Sequence, residues 1–104
     1  MEIRRIAAFS DGLTGGNPAG VVLLEVDLPE TEMARLAAEV GYSETVFAVQ
    51  LDAGGRAWRV RYFSPESEVP FCGHATIALG AVLGEVFGAQ AYQLTLNDAG
   101  VSVS

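Results

Sequence analysis

The sequence predicts an α+β domain in which a curved, mixed or mostly antiparallel sheet is rolled around a central apolar helix. The chain has 104 residues, about the length of one ordinary domain, so we treat residues 1–104 as a single domain. Its patterning follows the order β-β-α-β-β-α-β-β. Residues 74–87 have the length of a helix and hardly any polar side. Such a helix has to be covered on every side.

The first part of the chain is predicted to contain two strands and a helix. Residues 3–9 and 20–26 have strand composition, and the loop at residues 10–17 contains the turn pairs Asp-Gly and Gly-Gly. The continuous run VVLLEV in the second strand indicates burial on both faces. A helix follows, with Asp27 as its predicted N-cap and Gly41 as its end.

The remaining elements are two pairs of strands around the second helix. Residues 45–50 and 58–63 are predicted to form a hairpin across Gly-Gly, and residues 92–96 and 101–103 a second pair. Alternation places Trp58, Val60 and Tyr62 on one face and Arg59, Arg61 and Phe63 on the other. One face is core, and Arg59 and Arg61 are expected to mark the exposed one. The acidic segment SPESEVP, which carries Glu66 and Glu68, is predicted to be a solvated loop rather than a metal site.

Composition excludes several function classes. Six basic and thirteen acidic residues give a formal charge of −7, which repels phosphate backbones and anionic membranes, so neither nucleic acid nor a membrane is expected as a partner. One cysteine and one histidine cannot complete a four-ligand Cys/His zinc site, and no metal is predicted. A Walker loop and a Rossmann fingerprint are both lacking in the sequence, so no nucleotide cofactor is expected. We expect a cytoplasmic protein with a small-molecule or protein partner.

The segment PFCGHAT, residues 70–76, is the first candidate for chemistry. A glycine at the start of a helix lets a ligand approach the backbone, and the free amides of the first turn favour a carboxylate. Cys72 and His74 flank that position. The alternative is that Cys72 is a small buried apolar residue and His74 a structural one.

Two further segments carry polar residues beside apolar strands. In GYSETVF, residues 41–47, partial burial of Glu44 would raise its pKa toward the range of a general base, although a solvated glutamate is the alternative. In GGNPAG, residues 15–20, Asn17 offers an amide to a ligand or simply begins a turn before proline.

Taken in order, the segments GGNPAGVV, GYSETVF and RYFSPESEVPFCGHATIALG closely resemble the N-terminal half of the phenazine-biosynthesis isomerase-like (PhzF-like) family, which has the diaminopimelate-epimerase-like fold. The likeness runs from residue 3 to about residue 88. It implies two pseudo-symmetric lobes, each a sheet rolled around a central helix, with the active site in the cleft between them. Residues 1–104 would then be equivalent to the N-terminal lobe.

The resemblance also implies an activity: the cofactor-free isomerisation of a small carboxylate, trans-2,3-dihydro-3-hydroxyanthranilate in the family's best-known case. Glu44 matches the glutamate of the SET motif that moves the proton, and His74 of the CGHAT motif is implied as its catalytic partner. The amides of Gly73 and His74 are implied to hold the substrate carboxylate. Further substrate-binding residues are expected at Ser43, Asn17 and Cys72.

The family's second lobe has no counterpart within these residues, so the sequence predicts half of a pocket. A complementary lobe or a second subunit, in the simplest case that of a homodimer, is expected to complete it. An isolated monomer is expected to be inactive. Two alternatives stay open: a non-catalytic binding or assembly module, and a cysteine-dependent racemase that uses Cys72.

Overall fold

The computed structural model describes residues 3–8 and 17–103, with side chains from residue 19 onward. The strands within these residues are β1 (Ile3–Ala8), β2 (Asn17–Leu24), β3 (Glu44–Gln50), β4 (Ala57–Phe63), β5 (Glu68–Val69), β6 (Tyr92–Thr95) and β7 (Gly100–Val103). The helices are α1 (Glu30–Val40) and α2 (Gly73–Phe87). The loop predicted at residues 10–17 lies outside the described residues, apart from Asn17, whose backbone begins β2.

The strands form one mixed sheet in the order β1-β2-β3-β4-β6-β7, with β5 paired to β4. β2 runs parallel to β3 and β4 parallel to β6, whereas the pairs β1–β2, β3–β4, β4–β5 and β6–β7 are antiparallel. The sheet is curved and does not close on itself. The predicted α+β class and mixed sheet are therefore confirmed.

The two helices pack on opposite faces of the sheet. Successive side chains of a strand point to opposite faces, and the core is divided accordingly: Val46 packs in the cluster around α2, and Phe47 in the cluster around α1. The same division separates Val21 from Val22 in β2, and both are fully buried. Burial of this strand on both faces, predicted from its continuous apolar run, is confirmed. The predicted exposed face of β4 is wrong, because α1 packs on that side: Phe63 is 1% exposed and Arg61 19% exposed.

The start of α1 differs from the prediction. Asp27 is not its N-cap, because the helix begins at Glu30 and the capping position is Pro29. The Asp27 carboxylate instead accepts a hydrogen bond from the adjacent Leu28 amide. The end of the helix agrees with the prediction, since Gly41 has the left-handed φ of 77° and its amide bonds to the Ala37 carbonyl.

The acidic segment between β4 and α2 also differs from the predicted solvated loop. Ser64 to Ser67 form a tight turn closed by the Ser64 amide and the Ser67 carbonyl at 2.8 Å, and the chain then returns as β5 beside β4. Glu66 is exposed as predicted, but Glu68 is 19% exposed and pairs with Arg61. A two-residue strand is too short to produce a period in the sequence, so β5 has no hydrophobic signature.

Helix α2 is covered by the sheet on one side only. The buried side consists of Ala75, Thr76, Ala78, Leu79, Val82 and Leu83. The opposite side, which we call the open face of α2, consists of Gly73, Ile77, Ala81 and Gly84, and Ile77 is 49% exposed. Gly80 lies at the border of this face, toward Val103 of β7. The described part of the sheet thus encloses α2 incompletely. Neither helix within the described ranges is long and apolar enough to cross a membrane.

Candidate active site

Glu44 is positioned by a strand in the middle of the sheet. It is the first residue of β3, which lies between β2 and β4 and has no free edge. Glu44 lies opposite Ala19 in the parallel pairing with β2. Because side chains alternate along a strand, the Glu44 side chain lies on the same face as Val46, which is the face covered by α2. Its carboxylate is half-buried.

The turn after β4 brings the start of α2 to the same place. Val69 in β5 pairs with Tyr62 in β4, and three residues later Cys72 takes the N-cap position of α2 in an extended conformation. The Phe71 ring packs edge-on against Tyr62, with 5.7 Å between ring centroids. The amino end of α2 is therefore held against the core face of β4, next to the first residue of β3.

Two hydroxyl groups fasten this helix start to the sheet. Thr76 Oγ1 donates a hydrogen bond of 2.8 Å to the Cys72 carbonyl oxygen. Because the single hydroxyl hydrogen of Thr76 is used there, the Tyr62 hydroxyl is the donor in its 2.7 Å bond to Thr76 Oγ1. Burial raises the pKa of Tyr62 above its ordinary value, although the bond to Thr76 opposes that shift. Neither Tyr62 nor Thr76 was predicted as a site residue. The signal was available, because a tyrosine on the core face of a strand needs a partner for its hydroxyl.

Glu44, Cys72 and His74 meet at this point and form what we call the Glu-Cys-His cluster. The Cys72 thiol donates to Glu44, with 3.6 Å between Sγ and Oε1, and Sγ lies 3.3 Å from His74 Nδ1. One donor atom from each of the three side chains lies within 4.8 Å of the other two. All three residues are half-buried, so their polar atoms remain accessible from the open side. The sequence places Glu44 and Cys72 28 residues apart, and the fold brings them into contact.

The cluster favours a protonated thiol. Burial raises the pKa of Cys72 above its ordinary value, and the neighbouring Glu44 carboxylate raises it further through its charge and its hydrogen bond. The backbone amides of Ala75 and His74, at the start of α2, act in the opposite direction and lower this pKa. Near neutral pH Cys72 is therefore a weak hydrogen-bond donor to Glu44.

The other predicted site residues lie around the cluster. Gly73 is the first residue of α2, is exposed, and lies between Cys72 and His74. Ser43 is exposed and directly precedes Glu44. The backbone of Asn17 begins β2, which runs parallel to β3, so Asn17 and Glu44 lie at the same end of these two strands. The Asn17 side chain lies outside the described part of the chain.

Two surface pockets lie at the other end of the sheet. One of about 360 Å³ is lined by Glu25, Gln50, Leu51, Asp52 and Ala53, and one of about 180 Å³ includes Trp58 and the end of α2 at Phe87. β3 has seven residues, so Gln50 lies about 20 Å from Glu44 at about 3.3 Å per residue. Neither pocket includes a member of the Glu-Cys-His cluster.

Comparison with known proteins gives one family. The family described as phenazine biosynthesis-like protein, PhzC-PhzF, matches residues 6–101. An uncharacterized isomerase of Pseudomonas aeruginosa is 44% identical over 87 residues, which are 84% of this chain and 32% of that protein. An uncharacterized isomerase of Deinococcus radiodurans is 51% identical over 80 residues, which are 77% of this chain and 25% of that protein.

Solved structures of the same family are also similar to this chain. The crystal structure of a PhzF-family phenazine biosynthesis protein from Enterococcus faecalis superposes with a TM-score of 0.87 and 35% identity, covering 98% of this chain and 39% of that one. The chain thus spans about a quarter to a third of the length of the two isomerases and two fifths of the solved protein.

Proposed function

The chain belongs to the phenazine biosynthesis-like protein family, PhzC-PhzF, and from this premise we propose that it supplies one lobe of an isomerase that moves a proton on a small carboxylate substrate. Glu44 is the proton shuttle and His74 its polar partner. A substrate resembling trans-2,3-dihydro-3-hydroxyanthranilate fits the family resemblance of the SET and CGHAT motifs. The relatives named as isomerases support the same reaction class.

One observation carries the proposal: the Glu44 carboxylate meets the amino end of α2, where its Oε1 lies 3.6 Å from the N-cap thiol of Cys72. The first amides of a helix favour a bound anion. A substrate carboxylate held by the amides of Gly73 and His74 would place the adjoining carbons within reach of Glu44. The shuttle takes a proton from one carbon and returns it to another, so no cofactor is consumed.

His74 assists by its position rather than by its charge alone. Its Nδ1 lies 3.3 Å from Cys72 Sγ, on the same side as Glu44. A neutral imidazole offers one donor and one acceptor nitrogen. It therefore stabilises a hydroxyl or amino group of the substrate while the proton is on Glu44. Ser43 and Asn17, at the same end of strands β2 and β3 as Glu44, are proposed to contact the substrate more peripherally.

A second lobe or subunit completes the site in this proposal. A shuttled proton is kept only when water is excluded from the cleft, whereas the members of the cluster are half-buried in the chain as described. We propose that the open face of α2 lies toward this missing cover. The cover is a complementary lobe or, in the simplest assembly, a second copy of the chain.

The test is turnover of trans-2,3-dihydro-3-hydroxyanthranilate in D₂O by the chain in association with a complementary lobe or a second copy of itself. Product and incorporated deuterium are measured together. We expect Glu44→Gln to lower the rate by at least about 100-fold, since a general acid–base group contributes roughly 10²–10⁴. Glu66→Gln, which removes an exposed carboxylate on the turn after β4, is the matched control and retains the rate.

Absence of both turnover and deuterium exchange in the associated chain would contradict the isomerase proposal. Equal loss in both variants would contradict the role of Glu44. Verified monomer is expected to be inactive, and turnover by it would overturn the requirement for a second lobe.

A binding or assembly module is the second candidate, and the exposed apolar side of α2 favours it, with Ile77 49% exposed. In such a module association is the function, so Glu44→Gln leaves association unchanged and no substrate carbon exchanges its hydrogen. The two candidates are thus separated by the same D₂O measurement.

A further inference from the structure

The Glu-Cys-His cluster combines three kinds of metal ligand at one point. We infer that Glu44, Cys72 and His74 form a binding site for one thiophilic divalent cation of the zinc class. A thiolate, an imidazole and a carboxylate are the side chains that bind Zn²⁺ in proteins, and sites with three protein ligands keep the fourth position open. The sequence predicted no metal, because one cysteine and one histidine cannot complete a four-ligand site made of those two residue types. The carboxylate from β3 supplies the third ligand.

The distances between the donor atoms match those of a tetrahedral site. Zinc lies about 2.3 Å from sulfur, about 2.0 Å from nitrogen and about 2.1 Å from oxygen, so two ligands of one tetrahedral ion are about 3.3–3.6 Å apart. The Cys72 sulfur lies 3.6 Å from Glu44 Oε1 and 3.3 Å from His74 Nδ1. The remaining edge, between the carboxylate and the imidazole, is no longer than 4.8 Å. Rotation of the half-exposed Glu44 side chain shortens it.

Charge and access support the site. One thiolate and one carboxylate neutralise a divalent ion, and the formal charge of −7 on the chain attracts cations. The start of α2 opposes a cation through its positive dipole end, so the site depends on the thiolate and carboxylate charges to outweigh it. All three ligands are half-buried, so an ion reaches them from the open side. The fourth position is then available to water or to a carboxylate.

Occupation of this site has a consequence for activity that rests on the proposed function. A bound cation holds Glu44 and His74, the two groups proposed to handle the proton, so zinc-class ions are expected to inhibit the isomerase. The site itself does not depend on that reaction, because it is defined by the three ligands alone.

The experiment is a titration of the untagged full chain with Co²⁺, which replaces Zn²⁺ and gives a sulfur-to-cobalt charge-transfer absorption when a thiolate binds it. Cys72 is the only cysteine in the sequence, so the absorption reports this residue alone. We expect one Co²⁺ per chain, displacement by Zn²⁺ and no displacement by equimolar Mg²⁺, which prefers oxygen ligands.

The variants identify the other ligands. Cys72→Ser is expected to abolish the charge-transfer band, and Glu44→Gln and His74→Asn each to weaken Co²⁺ binding at least about tenfold, since even indirect ligand partners contribute about 10–100-fold. Glu66→Gln is the matched control and keeps the affinity of the unmodified chain. Far-ultraviolet circular dichroism verifies that each variant is folded.

A second measurement needs no variant: Zn²⁺ binds the folded state and is expected to raise the unfolding midpoint of the unmodified chain. Lack of a charge-transfer band, a stoichiometry of one Co²⁺ per two chains, or unchanged affinity in Glu44→Gln would each overturn the site. If the unmodified chain fails to bind Co²⁺ but still exchanges substrate hydrogen in D₂O, only the cation site is contradicted. If the unmodified chain binds Co²⁺ but does not exchange substrate hydrogen in D₂O, only the proposed isomerase is contradicted.

Discussion

Cys72 lies between an anionic carboxylate and the amino end of a helix, and these two neighbours have opposite effects on its thiol. The helix amides stabilise a thiolate, whereas burial and Glu44 destabilise it and prevail, so the pKa of Cys72 is raised. A cysteine-dependent racemase needs a thiolate as its base. The protonated thiol therefore favours Glu44 over Cys72 as the group that takes the proton.

We expect this coupling to be visible in the alkylation of Cys72 by iodoacetamide. The pH dependence of the rate in the unmodified chain is expected to give a thiol pKa above the ordinary value of about 8.5. Because the Glu44 charge raises that pKa, Glu44→Gln lowers it and speeds alkylation at a fixed neutral pH. Glu66→Gln is expected to leave the rate as it is. Identical pH profiles for the unmodified chain and Glu44→Gln would show that the two side chains do not touch.

Alkylation also distinguishes a cysteine-dependent racemase from the proposed isomerase that uses Glu44. If Cys72 were the base of a racemase, blocking the thiol would abolish activity and Glu44→Gln would be tolerated. The proposed isomerase gives the other ranking, in which Glu44→Gln is the more damaging change and Cys72→Ser the milder one. A ranking led by Cys72 would refute Glu44 as the shuttle.

At the scale of elements, the short strand β5 decides where α2 begins. β5 is held by more than its pairing with β4: the Glu68 carboxylate accepts two bonds from Arg61, at 2.8 and 2.6 Å, and one of 2.8 Å from the Asn97 amide. Arg61 also donates to Glu30 in α1 at 2.6 Å. This network ties the turn, the loop before β7 and α1 together, and so holds the segment that leads to Cys72.

Glu68→Gln is expected to destabilise the chain by about 1–3 kcal/mol, because it removes the less exposed of the two carboxylates that pair with the largely buried Arg61. Glu30 binds the same guanidinium but is 67% exposed, so Glu30→Gln is the matched control and costs less than about 1 kcal/mol. Urea unfolding monitored by Trp58 fluorescence measures both. Equal effects of the two variants would contradict the structural role assigned to β5.

The pH dependence of this pair has a defined sign. The hydrogen bond from Arg61 lowers the pKa of Glu68, against the smaller opposing effect of burial. A carboxyl whose pKa is lowered in the folded state stabilises the fold above its unfolded pKa of about 4.3, and the stabilisation is lost as pH falls through the folded value. The difference in unfolding free energy between the unmodified chain and Glu68→Gln is therefore expected to shrink below about pH 4.

At the scale of the whole molecule, the sheet leaves the open face of α2 without cover from the described residues. That face is built of three small residues around Ile77, namely Gly73, Ala81 and Gly84, so another element can approach the helix closely. Residues of α2 on the other side are fully buried, among them Leu79 and Leu83. An apolar helix with one such side is stabilised when a partner covers it.

We therefore expect the purified chain to associate through this face. Ile77→Glu is expected to raise the dissociation constant at least about tenfold, which corresponds to about 1.4 kcal/mol. Leu51→Glu is the control, because Leu51 is 55% exposed but lies just beyond the far end of β3. Sedimentation velocity over a range of concentrations measures both variants. A monomer at all concentrations, or equal weakening by both changes, would contradict association through α2.

Much of the fold was predictable from local pattern. The alternation of Trp58, Val60 and Tyr62 placed one face of β4 in the core, and the structure buries all three. The apolar length of α2 and the Gly41 end of α1 were likewise readable, because burial and left-handed backbone geometry act on residues near in sequence. The short strand β5 and the start of α1 at Glu30 were not, since pairing with a distant strand and local backbone geometry determined them.

The candidate site divides in the same way. The motifs by themselves determined which residue types were available: an acid before a strand, and a cysteine and a histidine at the start of a helix. Only the tertiary structure decided that Glu44 meets Cys72 across 28 residues and that Tyr62 and Thr76 fasten the helix start beside it. The reason is physical: periodicity reports which side of an element is buried, whereas the contact between two elements depends on how the whole sheet curves and pairs.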